Sequence, residues 1–371
     1  MIICFNATGE AKKALDELMA TTQFRDISQV ISMALENYRV LQLTIPPGGK
    51  VMAAPSVGRV ENGTTRVPSN SLFQSTTSAV LPLQYPPLFS MKTASTEGLE
   101  LPSPHKTTAN LVNVPPAQWL FGQYNKFLPV KATCRALLNL QREQPSGISV
   151  EDAASKIAHA ACGLAEFLKA LDAQRHLRRE DALAAAFPSS DVNGGGSRLR
   201  FGNQFVATIR QGQLGGFPAA LRLVTINSSK EPRVSLTKAG GDFAVLANPV
   251  LDGNGHGALR KFSDTEVKFL LGHISQSVPE EVSAYVAIID AIAKGANAPD
   301  AIDKFLCRKF NLQVSVNAES DNQITQTFLA TQRTGAISRM VDLGLLTREK
   351  FGLRVIYAIT QNGETFRNQA H

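Results

Sequence analysis

The sequence has few cysteines, and none are paired at a metal-binding spacing. Its four cysteines lie far apart along 371 residues, without a CxxC motif: Cys4, Cys134, Cys162 and Cys307. A disulfide framework needs several cysteines in a short chain, and a cysteine zinc site needs closely spaced pairs. Both classes are therefore excluded, and a reducing cytoplasm fits this cysteine usage best.

Long hydrophobic runs are also missing. No apolar stretch approaches the roughly 18–20 residues that cross a bilayer, so we exclude a membrane-spanning protein. The first residues, MIICFNATGEAKK, contain no basic region followed by an apolar one, as a secretory signal would. Together these observations predict a cytoplasmic protein.

The motifs of common catalytic and cofactor sites do not occur in the sequence. The six histidines show neither HExxH nor HxH spacing, and neither GxSxG nor a GxxxxGKS or GxxxxGKT loop is present. We therefore expect no enzyme activity, no metal and no cofactor.

The chain does carry a modest excess of positive charge. Lys and Arg number 38 against 31 Asp and Glu, which gives +7 at pH 7 and a pI near 9.3. This excess permits a polyanionic partner without identifying one, because it is spread over a long chain. From residue 304 to the end there are nine basic and five acidic residues, so four of the seven excess charges lie there.

The composition changes sharply within the chain. Residues 42–115 are rich in Pro, Ser, Thr and Gly and show no lasting helical or strand period. Such a segment cannot bury enough apolar surface to offset its ordering entropy. We predict a flexible linker there, between a small N-terminal domain at residues 1–41 and a larger C-terminal body.

The C-terminal body contains an internal repeat. Residues 205–243 align without a gap to residues 328–366 at a constant offset of 123. The nine identical pairs include Thr237/Thr360, Gly240/Gly363 and Phe243/Phe366. We therefore predict two copies of one unit, at residues 116–252 and 262–371.

Each copy is predicted to contain helices, then two strands, then a Leu/Ile-Thr-x-x-Gly segment that opens a last helix. In the second copy, RTGAISRMVDLGLLTREKFGLRVIYAIT resembles the recognition helix and two-stranded wing of winged helix-turn-helix proteins. VSLTKAGGDF in the first copy is similar to the end of the wing in multiple-antibiotic-resistance-type regulators. Tandem winged helices also resemble plasmid replication initiators. The resemblance implies an α+β, mostly helical fold that binds double-stranded DNA.

The predicted recognition helix is amphipathic. Thr334 is expected to cap it, Gly344 to end it, and its apolar face holds Ala336, Ile337, Met340 and Leu343. The other face carries side-chain types that contact base edges and phosphates. The candidate DNA contacts of the second copy are Gln332, Arg333, Ser338 and Arg339 on the helix, and Thr334, Arg348, Lys350 and Arg354 for the DNA backbone.

The first copy departs from this pattern. Gly215, Gly216 and Pro218 stand where the second copy has its recognition helix, and they would break or shorten a helix. We expect the first copy to read DNA weakly. It would serve packing or dimerisation, or bind backbone phosphate through Arg210, Lys230 and Arg233.

A basic cluster in the first copy leaves two interpretations open. Arg175, His176, Arg178 and Arg179 either contact a backbone phosphate or form a solvated helix end that Glu180 and Asp181 neutralise.

The N-terminal domain resembles a ribbon-helix-helix unit, which pairs two chains. TQFRDISQVISMALENY carries the resemblance. A unit this short needs a partner to build a core. The predicted pairing residues are Ile3, Phe5, Leu15, Leu18, Val30, Ile31, Ala34 and Leu35. Asn6 and Thr8 are its candidate DNA contacts, but the strand has no Arg or Lys, so pairing alone and pairing with DNA contact remain alternatives.

The sequence thus predicts a homodimeric protein that binds specific double-stranded DNA, with transcriptional regulation as its leading role. A plasmid or phage replication or partition protein is one alternative. A non-catalytic winged-helix adaptor in a larger protein assembly is another.

Overall fold

We describe a computed structural model of the chain. It defines residues 85–90, 96–103, 113–190, 195–227, 231–252, 260–315, 323–352 and 354–370, which all belong to one compact unit at residues 77–371. Helices predominate and the sheets are small, which confirms the mostly helical α+β class. Within these ranges, no helix is both long and apolar enough to cross a bilayer.

The predicted N-terminal domain lies outside the described residues. That domain contains the pairing residues Ile3, Phe5, Leu15, Leu18, Val30, Ile31, Ala34 and Leu35 and the candidate DNA contacts Asn6 and Thr8. The candidate DNA contact Lys230 of the first copy also lies outside the described residues. Their roles stay predictions.

The first copy of the repeat combines helices with a small sheet and a hairpin. Its helices are α1 (Phe127–Glu143), α2 (Val150–Gln174), α3 (Gly195–Phe201), α4 (Phe217–Ala220) and α5 (Lys238–Val245). Its strands are β1 (Ile148–Ser149), β2 (Thr208–Arg210), β3 (Gln213–Gly215), β4 (Val224–Ile226) and β5 (Arg233–Leu236). A π-helical turn spans Gly202–Val206, and 3-10 turns span Pro87–Phe89, Pro116–Gln118 and Leu183–Ala186.

The second copy consists of five helices and two pairs of strands in the part that the structure describes. Its helices are α6 (Asp264–Ser277), α7 (Pro279–Ala293), α8 (Pro299–Lys309), α9 (Gln326–Asp342) and α10 (Gln361–Ala370). Its strands are β6 (Gln313–Ser315), β7 (Gln323–Thr325), β8 (Leu346–Phe351) and β9 (Arg354–Ile359). Strands β6 and β7 pair in parallel.

Side-chain caps set where several helices begin. Ser149 accepts a hydrogen bond from the Asp152 amide at 3.1 Å at the start of α2. Thr325 caps α9 in the same way, through the Phe328 amide. The prediction that Thr334 caps this helix is therefore wrong. The helical pattern continues upstream through TQTFLATQR, so Thr334 lies in the middle of α9.

The main sheet of the first copy has the strand order β1-β5-β4, and both pairings are antiparallel. Ile148 of β1 is paired with Val234, and Val224 is paired with Leu236. All four side chains are buried. One face of the sheet therefore closes the core beneath α1.

Strands β8 and β9 form an antiparallel ribbon, which we call the wing ribbon. Its register runs from Leu346 opposite Ile359 to Phe351 opposite Arg354. Because side chains alternate between faces, Arg348 and Lys350 share a face with the buried Tyr357. Arg354 lies on the other face beside Phe351, which is 61% exposed.

The elements at the C-terminal ends of the two copies occupy equivalent positions in the sequence. Strands β5 and β9 end at positions 123 residues apart, and α5 and α10 begin at the same offset. Thr237 and Thr360 cap these helices, accepting hydrogen bonds from Gly240 and Gly363. The preceding strands, β4 and β8, have a different offset. Val224 in β4 takes the same place in its strand pairing as Leu346 in β8, and these two residues are 122 positions apart. The gapless alignment is thus wrong by one residue at the first strand.

The copies diverge where the recognition helix was expected. The second copy has the continuous helix α9, whereas the equivalent part of the first copy forms the β2–β3 hairpin and the four-residue helix α4. Gly216 has a φ of 108°, a backbone conformation that favours glycine. This agrees with the prediction that Gly215, Gly216 and Pro218 interrupt a helix.

The flexible-linker prediction for residues 42–115 is wrong for the part of that segment which the structure describes. Phe89 is completely buried. Asn139 of α1 donates a hydrogen bond to the Leu88 carbonyl at 2.8 Å, and the Lys238 amide donates to the Pro102 carbonyl at 2.7 Å. The body thus buries single apolar side chains of this segment and binds its backbone carbonyls. The lack of periodicity in the sequence does not reveal these contacts.

The two copies share one core. Lys131 of α1 and Glu266 of α6 form an ion pair at 3.0 Å, with both side chains fully buried. A ring nitrogen of His273 in α6 lies 2.7 Å from the Leu221 carbonyl of the first copy. Residues predicted as separate domains therefore depend on each other for burial and for hydrogen bonds.

Candidate nucleic-acid interface

Three of the four α9 side chains that were predicted to face a DNA groove are buried. Gln332 is 2% exposed, Arg333 is 7% exposed and Arg339 is 0% exposed. All three make hydrogen bonds inside the protein. The prediction that they contact DNA is therefore wrong, because neighbouring elements cover the face of α9 that carries them.

Arg339 forms the central buried ion pair of the second copy. Its guanidinium is bound at two nitrogens by the Glu281 carboxylate of α7, with Nη2 at 2.8 Å from Oε2. Its remaining nitrogen donates to the Tyr124 carbonyl, which precedes α1. Burial lowers the pKa of Arg339, but the Glu281 carboxylate and the Tyr285 hydroxyl together raise it by more, so the side chain stays charged. Arg339 thus holds α9, α7 and the segment before α1 together.

Arg333 and Gln332 also have structural partners. Arg333 makes a two-pronged ion pair with Asp303 of α8, with distances of 2.6 Å and 3.2 Å. Gln332 donates to the Pro116 carbonyl at 3.1 Å. These contacts fix α9 to α8 and to the 3-10 turn at Pro116–Gln118.

A close approach of two glycines explains why this face of α9 is covered. The backbone at Gly122 lies so near Gly335 that a Cβ on Gly335 would be 2.1 Å from the Gly122 oxygen. Only glycine permits such a distance. Gly335 lies between Gln332 and Arg339 on one helical stripe, and this is the one sign in the sequence that the stripe is a packing surface.

The remaining predicted contacts are accessible. Thr334 is exposed and Ser338 is half-buried on α9. Arg348, Lys350 and Arg354 are all exposed on the wing ribbon. In the described part of the chain, none of these three cations forms an ion pair.

The predicted phosphate contacts of the first copy lie apart from the wing ribbon. Arg210 is exposed on the β2–β3 hairpin. Arg233 is half-buried and donates to the Ser146 hydroxyl at 3.0 Å and to the Gly147 carbonyl at 3.3 Å. It therefore ties β5 to the loop before β1, so it has a structural role that the sequence did not indicate.

The loop after α2 brings further charge to the wing ribbon. The pKa of the Glu180 carboxyl lies below its usual value, because its own backbone amide bonds to it and because Arg348, Lys350 and Arg178 are close. Arg178 of the first copy and Arg348 and Lys350 of the second copy thus act on the same carboxylate. We call Arg178, Arg348 and Lys350 the basic surface.

Salt bridges hold this loop in place. Lys126 donates to the Glu180 carbonyl at 3.5 Å and lies 3.8 Å from Asp342, the last residue of α9. Lys261 also pairs with Asp342, at 3.1 Å. Because the wing ribbon begins four residues after Asp342, the loop and the ribbon are anchored to the same point.

A cleft of about 750 Å³ separates the accessible face of α9 from the first copy. We call it the α9 cleft. Thr327, Thr331 and Thr334 line one wall, and Phe187 and Arg200 line the other. Among the described residues of the lining, Arg200 has the only charged side chain. Sequence reasoning missed it, because α3 is short and follows a Gly-rich segment.

A second groove of about 1060 Å³ runs between α2, α3 and the β2–β3 hairpin. Arg198 and Leu199 of α3 line it. Successive residues of α3 thus face different grooves, with Arg198 in this groove and Arg200 in the α9 cleft.

Comparison with protein families, with curated proteins and with solved structures gives no match to this chain.

Proposed function

We propose that the chain binds double-stranded DNA as a transcriptional regulator, and that the wing ribbon and the basic surface hold the phosphate backbone. The observation that carries this proposal is the wing ribbon itself. It presents Arg348, Lys350 and Arg354 to solvent, and within the described ranges none of them has an acidic partner at ion-pair distance.

Electrostatics favours a polyanion at this surface. Exposed like charges repel each other, and a duplex carries one negative charge for about every 1.7 Å of its axis. Phosphates would relieve the repulsion among Arg178, Arg348 and Lys350 while releasing condensed counterions. The acids in these segments are Glu180, Asp181 and Glu349. The cations Arg178, Arg179, Arg348, Lys350 and Arg354 outnumber them, which leaves a net positive charge.

The order of elements supports a winged-helix assignment for the first copy. Helix α1, strand β1, helix α2 and the paired strands β4 and β5 occur in this order, with α3, the β2–β3 hairpin and α4 inserted between α2 and β4. The sheet order is β1-β5-β4. In the second copy, α9 leads directly into the wing ribbon. This succession of helix and ribbon supports the same assignment for the second copy.

We propose that the DNA contacts lie mainly on the wing ribbon rather than on helix α9. With Gln332, Arg333 and Arg339 buried, Thr334 and Ser338 are the remaining accessible members of the predicted helix set. Neither is charged. We therefore propose that the wing ribbon supplies most of the affinity and that α9 makes a smaller contribution to sequence preference.

Pairing of two chains through residues 1–41 is part of the same proposal. It rests on the resemblance of that segment to ribbon-helix-helix units. Two wings on one DNA molecule would raise the affinity through effective concentration.

Salt-dependent binding to a random-sequence duplex tests the proposal. The comparison sets the wild type beside Arg348→Ala/Lys350→Ala/Arg354→Ala. A control, Lys156→Ala/Lys268→Ala/Lys304→Ala, removes three exposed cations from α2, α6 and α8. We expect the wing variant to lower the slope of log K against log salt by about 3, since each phosphate contact contributes about 0.9.

Two results would reject the proposed surface. In one, the control loses as much affinity as the wing variant, which indicates binding by net charge alone. In the other, the wild type shows no saturable duplex binding near 150 mM salt, which favours a protein partner. Enrichment of one sequence motif from the duplex pool would support a regulator.

A further inference from the structure

We propose that the α9 cleft binds a nucleoside monophosphate, either free or as an unpaired nucleotide of a nucleic-acid strand. This inference does not rest on the proposed duplex binding, because the wing cations are not among the residues that line the cleft.

The charge of the cleft favours one phosphate. Arg200 is exposed to the cleft, and in the described part of the chain it makes no hydrogen bond or ion pair. Among the described residues that line the cleft there is no Asp or Glu, and the first turn of α9 carries no acid. A guanidinium matches the oxygen spacing of a phosphate and binds it through two parallel hydrogen bonds.

One wall of the cleft suits a sugar. Thr327, Thr331 and Thr334 are spaced so that they lie along one side of α9. The Thr331 hydroxyl donates to the Thr327 carbonyl at 2.7 Å, which leaves its oxygen free to accept. Amide side chains extend the polar lining, with Gln204 donating to Gln123 at 2.5 Å. Hydroxyls and amides pair with the ring oxygen and hydroxyls of a sugar.

The opposite wall suits a planar base. Phe187 is half-buried there and stacks on Phe201, with ring centroids 5.7 Å apart and planes at 28°. Pro188 follows it in the lining. Bases stack on aromatic faces with little dependence on their identity. The stack on Phe201 also holds the Phe187 ring in one orientation before a ligand arrives.

The size of the cleft favours a single nucleotide over a duplex as the ligand. Its volume of about 750 Å³ falls within the range of small-molecule sites. A double helix, whose major groove alone is about 12 Å wide, does not enter a cleft of this size. One nucleotide fits between the walls, and because the walls come from both copies, it would contact both.

The experiment measures binding of 5′-dAMP and of an eight-residue oligo-dT strand to the full chain by titration calorimetry. We expect saturable binding that Arg200→Ala weakens at least tenfold, the loss typical of a charge-assisted hydrogen bond. Ala330→Phe fills the cleft from α9 and should abolish binding without changing charge. Arg198→Ala is the matched control, because it removes the same charge from α3 but faces the other groove.

The two sources of the nucleotide give different results. Equal affinity for dAMP and for the strand indicates a free nucleotide. A strand that binds at least tenfold tighter, and that dAMP displaces, indicates an unpaired nucleotide of a nucleic acid. Both results support the site.

The proposal is overturned if neither probe saturates by about 10 mM, which is weaker than most specific sites. Equal losses in Arg200→Ala and Arg198→Ala would overturn it too. Thermal melting of each variant shows whether it folds. Should Ala330→Phe not fold, Arg200→Ala still decides. The wing variant should keep its dAMP affinity, so failure of duplex binding and failure of this site are separate outcomes.

Discussion

Arg339 and Glu281 form an ion pair from which solvent is completely excluded, since both side chains are 0% exposed. The two residues are 58 positions apart, and Tyr124 supplies a third group to the same guanidinium. An arginine on the polar stripe of a predicted recognition helix thus serves as the main polar contact between α9 and α7.

Removing one partner of this pair should destabilise the protein strongly. Arg339→Met leaves the Glu281 carboxylate buried without a counter-charge, and we expect a loss of about 3–5 kcal/mol in the free energy of unfolding. The double variant Arg339→Met/Glu281→Met should recover much of this loss. Urea denaturation measures both. A single variant as stable as the wild type would contradict the burial of the pair.

The contact between Gly335 and Gly122 predicts opposite effects for two glycine substitutions. Gly335→Ala would force a Cβ against a backbone oxygen, and we expect a loss of about 1–3 kcal/mol. Gly272→Ala, in the interior of α6, meets nothing within 4 Å and should stabilise by about 0.5–1 kcal/mol. Thermal melting of the two variants checks the sign of each effect. Equal shifts would refute the close approach.

His273 should make stability depend on pH. Burial lowers its pKa below the ordinary value of 6.5, although the bond to the Leu221 carbonyl opposes this shift. Below about pH 6.5 the unfolded chain therefore binds a proton that the folded chain does not, and stability falls as the pH decreases toward the folded pKa. His273→Gln removes this contribution. Unfolding free energies from pH 7 to 5 should fall more steeply for the wild type, and parallel profiles would contradict the shift.

Phe89 tests whether the segment before α1 belongs to the core. Phe89→Ala should cost about 3–5 kcal/mol, because the ring is completely buried. Phe351→Ala, at a ring that is 61% exposed, should change stability by less than about 0.5 kcal/mol. Chemical denaturation compares the two. A flexible segment would make both changes equally small.

Arg178 tests the contribution of the first copy to the proposed DNA contact. Arg178→Ala should reduce the salt slope of duplex binding by about 1, in addition to the effect of the wing variant. Lys156→Ala, an exposed cation of α2, serves as its control. An unchanged slope in Arg178→Ala would limit the contact to the wing ribbon.

Local signals made much of the fold predictable. Thr237 and Thr360 cap their helices through the glycine three residues later, so their spacing is visible in the sequence. The breaks at Gly216 and Pro218 are likewise local. The starts of α5 and α10 follow from such positions.

The environment of each charged residue was not predictable. Arg333, Arg339 and Arg200 look alike in sequence, yet the first two are paired with Asp303 and Glu281, whereas Arg200 has no ion-pair partner among the described residues. Which of them meets solvent depends on packing partners 30 and 58 positions away. Phe89 was missed for a similar reason, since a single apolar residue among prolines shows no period.

The buried bond between Lys131 and Glu266 limits how these copies can evolve. Each copy contributes one charge, and the two charges neutralise each other where the copies meet. A second copy moved into another protein would lose the cation that pairs with Glu266 and would keep only the capping-box bonds of this carboxylate to Ser263. The two units are therefore not interchangeable with units of other proteins. A recombination point between them would separate two halves that depend on each other for folding.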